Sequence, residues 1–326
     1  MDHTLHVVYS SDDAYACFLG VSMLSLFKNN QDFKQIHAYI LDCGIGGENR
    51  EKLLRIASEY RREISFLSVK SALEKLRLRQ GAHVISVASY ARLLMAELLP
   101  QTCGRALYLD CDTIVKDSLR GLWEYDLAGA LIAGCQDTVD QYYLKVIGLP
   151  DHIRYLNAGI LLIDLALWRE EDILQAFMEV IERFGGKVPH HDQGIINSAC
   201  GSRRAILPLR YNVNSNLYSF SARTIRRMYF LDDYYSQQEV DEAVAHPAII
   251  HFTKGLVGRP WEEGSGHPER DTFWQYVKES PWPDLPMLPD SRGKSIKLFT
   301  FFYRLMPRRL FEIVYRSLIG ILHRRW

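Results

Sequence analysis

Asp110 and Asp112 close the apolar run Ala106-Leu107-Tyr108-Leu109, with only Cys111 between them. Side chains alternate across a strand, so carboxylates at i and i+2 leave on one face. Two like charges that close repel and raise one pKa, unless water solvates both or a cation lies between them. A divalent metal is the simplest such cation. A strand ending in a solvated acidic turn is the plainer alternative, and only groups elsewhere in the chain can decide.

Several such groups follow. Asn157 and Gly159 stand ahead of the apolar strand that ends at Asp164, where small residues let a backbone approach a ligand. His190-His191-Asp192-Gln193-Gly194 opens a helix, and Asp192 alone would be explained by the helix dipole. His251 sits in a short strand at 249–253, where a lone histidine reads as a satisfied core residue. Lys254, Gly255, Gly258 and Arg259 follow it. Arg92 interrupts the apolar face of a helix over 89–95, as a surface arginine or as a clamp for phosphate or carboxylate.

The elements that must carry these groups alternate. Strands at 6–9, 36–42 and 64–67 are separated by helices at 15–27 and 46–63, and a further strand is expected at 131–135. This order predicts an α/β fold with a mostly parallel sheet covered on both faces. In such sheets ligands sit beyond the C-terminal strand ends, where Ser10 to Asp13 and Asp110 to Asp112 both fall. Residues 281–289 are proline-rich and read as an extended linker.

The chain has 326 residues, 48% of them hydrophobic, with 39 Lys+Arg against 39 Asp+Glu. That suits a globular protein with a large core and excludes a disordered one. The charge is uneven, because nine Arg/Lys against one Glu lie between Ser291 and Trp326. Lys297, Arg304, Arg308, Arg309, Arg316, Arg324 and Arg325 interleave there with Phe299, Phe302, Leu305, Phe311, Leu318 and Ile321. This is the composition of a helix lying on anionic lipid, or of one docked on the body by its apolar side. The organisation is therefore a body over 1–280 and a linker with a basic amphipathic tail over 281–326. No apolar run reaches the roughly 18 to 20 residues of a membrane span. Scattered cysteines and the absence of a secretory segment favour a cytoplasmic protein, peripheral on the inner face of the membrane. No nucleic-acid partner is expected, and neither zinc spacing nor a P-loop occurs.

Taken together, Tyr90-Ala91-Arg92-Leu93, Leu107-Tyr108-Leu109-Asp110-Cys111-Asp112, Leu156-Asn157-Ala158-Gly159, His191-Asp192-Gln193-Gly194 and His251-Phe252 ahead of Arg259-Pro260-Trp261 resemble, in content and order, the family 8 retaining glycosyltransferases. The likeness is to the bacterial galactosyl- and glucosyltransferases of lipopolysaccharide and lipooligosaccharide. It covers about residues 5 to 262 and implies a GT-A fold, a Rossmann-like mixed sheet flanked by helices, with a C-terminal basic helical extension. It also implies a UDP-sugar donor, UDP-galactose or UDP-glucose, and a saccharide or glycolipid acceptor. By the same resemblance Asp110, Asp112 and His251 hold Mn²⁺ or Mg²⁺, while Ser10, Asp12, Arg92 and Asp110 lie near the uridine and its ribose. Asn157, Asp192 and Gln193 hold the donor sugar, and Gly255 or Gly258 and Arg259 meet the diphosphate, Arg259 replacing the family's lysine. Ala14 stands where relatives carry an asparagine. The implied reaction is same-face attack, with the leaving phosphate taking the acceptor's proton and Gln193 and Asp192 steadying the sugar cation.

Two other readings use the same residues. Leu109-Asp110-Cys111-Asp112-Thr113 also resembles the nucleophile motif of haloacid-dehalogenase-like phosphatases, with Asp232-Asp233 as their later acidic pair and Mg²⁺ as the metal. A non-catalytic adaptor would have lost at least one of Asp110, Asp112, Asp192 or His251, and all four are present. The loop from Asn212 to Phe220 is the expected acceptor pocket, with Tyr218 and Phe220 stacking on sugar or, equally, filling the core.

Overall fold

The computed structural model describes residues 4–70 and 90–323; Ser89, Arg324 and Arg325 and the side chains of Arg308 and of residues 318–323 lie outside the described part. Its strands are β1 (Thr4–Ser11), β2 (Gln35–Asp42), β3 (Glu63–Ser68), β4 (Arg105–Leu109), β5 (Thr113–Val115), β6 (Ile132–Gln136), β7 (Leu156–Asp164), β8 (Arg204–Ile206), β9 (Val213–Asn214) and β10 (Ile249–His251). Seven of them form one sheet in the order β3-β2-β1-β4-β7-β6-β8. Neighbours from β3 to β4 are parallel, whereas β7 runs antiparallel to both β4 and β6. The sheet is therefore mixed, and its first half is the parallel half that the strand-helix alternation predicts.

The central strands read as unbroken apolar runs because both of their faces are covered. Val7 and Tyr9 of β1 face the cluster built on the helix Ala16–Asn29. Val8, Tyr108 and Ala106 face the opposite cluster, under the helices Ile173–Arg183 and His191–Cys200. Two cores thus clamp one sheet.

A second, three-stranded sheet, β5-β10-β9, was not legible in the sequence. Its strands are only two or three residues long, below the length at which alternation can be counted. The segment Asp110 to Asp112 is the turn between the two sheets and not the end of a strand, closed by Thr113 Oγ1 donating to the Asp110 carbonyl at 2.8 Å. Likewise Asn157 and Gly159 lie inside β7 and not ahead of it, beside the bulge that β6 makes between Gly134 and Gln136.

Residues 281–289 run without helix as a strap across the body. The Trp282 indole lies so close over Gly20 that a Cβ at that glycine would meet its Cζ3 at 2.1 Å, and Trp282 Nε1 donates to Asn49 Oδ1 at 3.0 Å. The strap is fixed further on by Leu288, whose N–H donates to the Trp261 carbonyl at 2.7 Å.

The basic tail forms the helices Lys294–Leu305 and Arg308–His323. Phe299, Phe302, Tyr303, Phe311 and Tyr315 pack on the core, so one apolar side is docked as the second sequence reading has it. Leu298, Phe301, Leu305, Leu310 and Ile313 face outward and are 47–66% exposed. No helix among the described residues is long and apolar enough to cross a membrane.

Docking of the tail decides between the two readings of Phe220. Phe220 is buried with its ring edge-on to Tyr303, whose hydroxyl donates to the Ser219 carbonyl. Tyr218 packs edge-on against His267, 5.0 Å between centroids. Phe220 is core because the tail helix supplies it an apolar partner, whereas Tyr218 is half-buried against His267 of the body.

His267 is itself a pH probe of this region. Its Nδ1 accepts the Glu269 N–H at 3.1 Å, while Nε2 is buried without a partner among the described residues. Burial pushes its pKa down to about 4. An unfolded histidine takes its proton near about 6.5, so the stability is whole above that pH and is lost as pH falls toward the folded value. The loss approaches about 1.4 kcal/mol per pH unit. Thermal unfolding of His267→Phe should therefore decline less between pH 7 and 5 than that of the wild type; equal declines would remove His267 as the cause.

Candidate active site

The small sheet delivers the distant histidine. In the antiparallel β10–β5 pair His251 is opposite Thr113, and the Phe252 N–H donates to the Asp112 carbonyl at 2.9 Å. His251 Nε2 then lies 3.6 Å from Asp110 Oδ2 and 3.3 Å from Asp112 Oδ1. One ligand atom from each of the three residues lies within 4.8 Å of the others.

Each carboxylate turns its second oxygen to an arginine. Arg92 Nη2 donates to Asp110 Oδ1 at 2.8 Å, and Arg259 Nη2 donates to Asp112 Oδ2 at 2.9 Å. The oxygens facing His251 are left pointing at a common centre. His251 Nδ1 lies 3.1 Å from Asn212 Oδ1, and Asn212 spends its own amide N–H on Asn157 Oδ1 at 2.9 Å. The asparagine oxygen can only accept, so the imidazole proton belongs on Nδ1 and the Nε2 lone pair faces the carboxylates. A hard-to-intermediate divalent cation suits this donor set of two carboxylate oxygens and one imidazole nitrogen.

The electrostatics favour positive charge at this centre. Burial opposes a charged His251, but Asp112 and Asp110 outweigh it and lift the imidazole pKa. Burial likewise opposes an ionised Asp112, and His251 and Arg259 outweigh it and hold the carboxyl below its usual range. Asn212 was expected in an acceptor loop; it orients the histidine instead. Asn212→Ala should weaken Mn²⁺ binding by about 10- to 100-fold with the fold intact. An unchanged dissociation constant in a Mn²⁺ titration would show that it does not orient the ligand.

A second carboxylate network adjoins the first. Arg92 is buried; its Nε contacts Asp192 Oδ2 at 3.0 Å, its Nη1 donates to the Ala158 carbonyl at 2.7 Å, and it lies over the Tyr108 ring. It is a carboxylate clamp, not a surface arginine. Burial opposes its charge, and Asp110, Tyr108 and Asp192 outweigh it and hold its pKa above the ordinary value. Burial raises the pKa of Asp192, against the pull of Arg92. Gln193 Oε1 accepts the Ala158 N–H at 2.9 Å and its Nε2 donates to Asp137 Oδ2 at 2.9 Å. Asn157 Nδ2 donates to the same Asp137 oxygen at 3.1 Å. Asp137 went unnoticed in the sequence, where a single acidic residue after a strand gives no signal.

The remaining expected residues flank this centre or turn from it. Ser10 is the last residue but one of β1, beside the acidic turn, its carbonyl accepting the Cys111 thiol at 3.2 Å. Asp12 Oδ1 accepts the Tyr15 N–H at 3.0 Å as the chain enters its first helix. Arg259, beyond its bond to Asp112, donates to the Phe252 carbonyl at 3.0 Å and the Tyr15 hydroxyl at 3.2 Å. The α-carbon of Gly255 faces Ser215, and that of Gly258 faces Arg292 and Ser265. Asp232 and Asp233 lie outside the cluster, on Gln141 and Arg154, which leaves the phosphatase reading without its second acidic pair.

A mixed sheet of this topology, with an acidic turn and a histidine gathered at the C-terminal ends of β1 and β4, defines a GT-A glycosyltransferase fold. The chain belongs to glycosyl transferase family 8, whose description fits residues 6–264. It is 26% identical over 284 residues to general stress protein A of Bacillus subtilis (strain 168), covering 86% of this chain and 96% of that relative. It is 25% identical over 283 residues to the lipopolysaccharide 1,2-glucosyltransferase of Escherichia coli (strain K12), covering 86% and 79%. Among solved structures it is similar to the galactosyltransferase LgtC in complex with donor and acceptor sugar analogs, at a TM-score of 0.71 and 25% identity over 85% of this chain and 96% of that one. The chain is thus a glycosyltransferase, and these similar proteins lend no support to a haloacid-dehalogenase-like phosphatase.

Proposed function

We propose that this enzyme moves a hexose, galactose or glucose, from a UDP-sugar to a saccharide acceptor of the lipopolysaccharide or lipooligosaccharide core, with retention at the anomeric carbon. The observation that carries the reading is the convergence of Asp110 Oδ2, Asp112 Oδ1 and His251 Nε2. These three would hold Mn²⁺ or Mg²⁺. When bound, such an ion supplies Lewis-acid stabilisation of the negative charge that appears on the leaving diphosphate. Arg259, at the edge of the cluster, adds a fixed guanidinium for the same charge, and Lys254, earlier in the same loop, is exposed. Ser10, Asp12 and Arg92 bound the nucleoside side of the cleft. Gly255 and Gly258 lie in the loop after β10, the segment that would cover the diphosphate, where they pack on Ser215 and on Arg292 and Ser265.

On the sugar side, Asp192 is clamped by Arg92 at 3.0 Å, a carboxyl group placed to steady positive charge on the ring. Both ends of the Gln193 amide are occupied by Ala158 and Asp137, which holds the side chain still. A pinned amide is a poor nucleophile. This favours same-face attack, the leaving phosphate taking the acceptor's proton, with Asn157, Asp192 and Gln193 positioning the sugar.

The outward row Leu298, Phe301, Leu305, Leu310 and Ile313 among basic residues supports a tail lying on the anionic inner face of the cell membrane, near a glycolipid acceptor. The body to about residue 280 would then be the catalytic domain and 281–326 its membrane-contacting extension.

The test is UDP release from a panel of UDP-sugars, with Mn²⁺ and with chelator, with intact mass read in parallel. Metal-dependent turnover of UDP-galactose or UDP-glucose without a hexose adduct on Gln193 supports the reading. Metal-independent turnover removes the cation, and a trapped adduct replaces same-face attack by double displacement.

A further inference from the structure

A cleft of about 910 Å³ opens between the helix Ala222–Met228, the chain over 230–239 and the helix Arg308–His323, away from the cation cluster. Arg154, Arg223, Arg226, Arg227 and Arg316 line it, against only Asp233 and Glu239. Arg154 is paired with Asp233 and Arg227 with Glu312. Glu239 is occupied by the Ser236 N–H at 2.7 Å, in the cap of the helix that follows. Arg223, Arg226 and Arg316 have no ion pair among the described residues. Arg226 donates to the Asp232 carbonyl at 2.7 Å, and the Arg316 guanidinium lies 4.8 Å from the centre of the Phe230 ring. Phe230 holds φ +52°, a left-handed conformation that a bulky residue adopts only under constraint.

Tyr234, only 5% exposed, lines the same cleft, and its hydroxyl is buried without a hydrogen-bond partner among the described residues. That hydroxyl lies toward Asp137 and Cys135 and not toward the arginines, so the anion-attracting groups of the cleft are the guanidinium groups of Arg223 and Arg226, which are exposed, and of Arg316, which is half-buried, none of them neutralised by a carboxylate among the described residues. Phosphate fits better than a single carboxylate, because it carries more charge and more oxygens for forked donors. The cleft shares no residue with the cation cluster but abuts the sugar-side network. Gln136 Nε2 donates to the Asp233 carbonyl at 2.8 Å and the Gln136 N–H to the Tyr235 hydroxyl at 3.1 Å, one residue before Asp137.

We propose that this arginine cleft binds the phosphate group of a phosphorylated ligand, either a phosphoryl substituent on the acceptor saccharide or the phosphodiester headgroup of the lipid surface around it. The acceptor form rests on the glycosyl transfer proposed above; phosphate binding itself does not. The cleft would then fix the acceptor beside the donor sugar by a group that takes no part in the reaction.

Glucose 6-phosphate, with glucose as control, is titrated at low salt against the full chain, the triple variant Arg223→Ala/Arg226→Ala/Arg316→Ala and the single variant Arg223→Glu. Arg223 is exposed and makes no hydrogen bond or ion pair among the described residues, so Arg223→Glu should unfold at the wild-type temperature. Co-sedimentation with phosphatidylglycerol and with phosphatidylcholine vesicles forms the second arm. The expected result is binding of the phosphorylated sugar but not of glucose, weakened about tenfold in the triple variant and reduced by salt. Loss confined to phosphatidylglycerol vesicles supports the site and assigns the lipid source. Binding of both probes that is unaltered in folded variants, or no binding of either, overturns the proposal. UDP release measured on the same variants separates this outcome from failure of the donor reading.

Discussion

Asp112→Asn should lower kcat/KM for the UDP-sugar by about 1,000-fold, the scale on which removal of a preorganised charge-stabilising group acts. The substitution keeps the shape of the side chain. It removes the charge that His251 Nε2 and Arg259 Nη2 face at 3.3 and 2.9 Å. Arg259 retains the Phe252 carbonyl and the Tyr15 hydroxyl, so the loop that carries it stays anchored. The effect belongs in turnover, not in folding: circular dichroism should match the wild type while UDP release falls. A variant with wild-type turnover would show that Asp112 holds no catalytic cation.

Gly159→Ala should also be strongly damaging, although it changes no charge. A Cβ at Gly159 would stand 2.3 Å from His251 Cε1 and 2.7 Å from Asp110 Oδ2, closer than real atoms approach. Neither neighbour yields cheaply. His251 is held by Asn212 and the β10–β5 ladder, and Asp110 by Arg92 and by its own N–H to the Gly159 carbonyl at 2.7 Å. The two ligands must part or β7 must shift, and misplacement of about 1 Å costs on the order of 100-fold in rate. The expected result is a loss of that size in kcat/KM together with weaker Mn²⁺ binding. Turnover within about twofold of the wild type would mean that the cluster tolerates a spacing the geometry forbids. Gly20→Ala is the contrasting case, since it displaces Trp282 from the strap and should lower stability without touching the cation ligands.

What the sequence displayed depended on the range of the signal. Parallel strands covered on both faces give long apolar runs, so β1, β2 and β4 and the helices between them could be placed within a few residues. Asp110 and Asp112 declared themselves by spacing. The reason first given for their shared direction was strand alternation, and the structure replaces it with a turn whose carboxylates are aimed by Arg92 and Arg259. His251 could be joined to them only through a family likeness, because a three-residue strand in a second sheet brings it there. Asn212 and Asp137 have roles defined by the groups they touch across the fold, Asp137 by Asn157 and Gln193 and Asn212 by His251. Such partners leave no periodicity to read. Phe220 shows the converse, for an aromatic residue that the sequence allowed equally as sugar platform or as core is core because Tyr303 of the tail helix covers it.

The central claim is that Asp110, Asp112 and His251 together hold one divalent cation. It is tested most directly by pulsed electron paramagnetic resonance of Mn²⁺ added to the protein with UDP, comparing the wild type with Asp112→Asn and His251→Ala. The account predicts one bound Mn²⁺ per chain with nitrogen modulation from a single imidazole, that modulation lost in His251→Ala and the bound ion lost or strongly weakened in Asp112→Asn. Bound Mn²⁺ without imidazole coupling in the wild type, or with a spectrum unchanged in both variants, would contradict it.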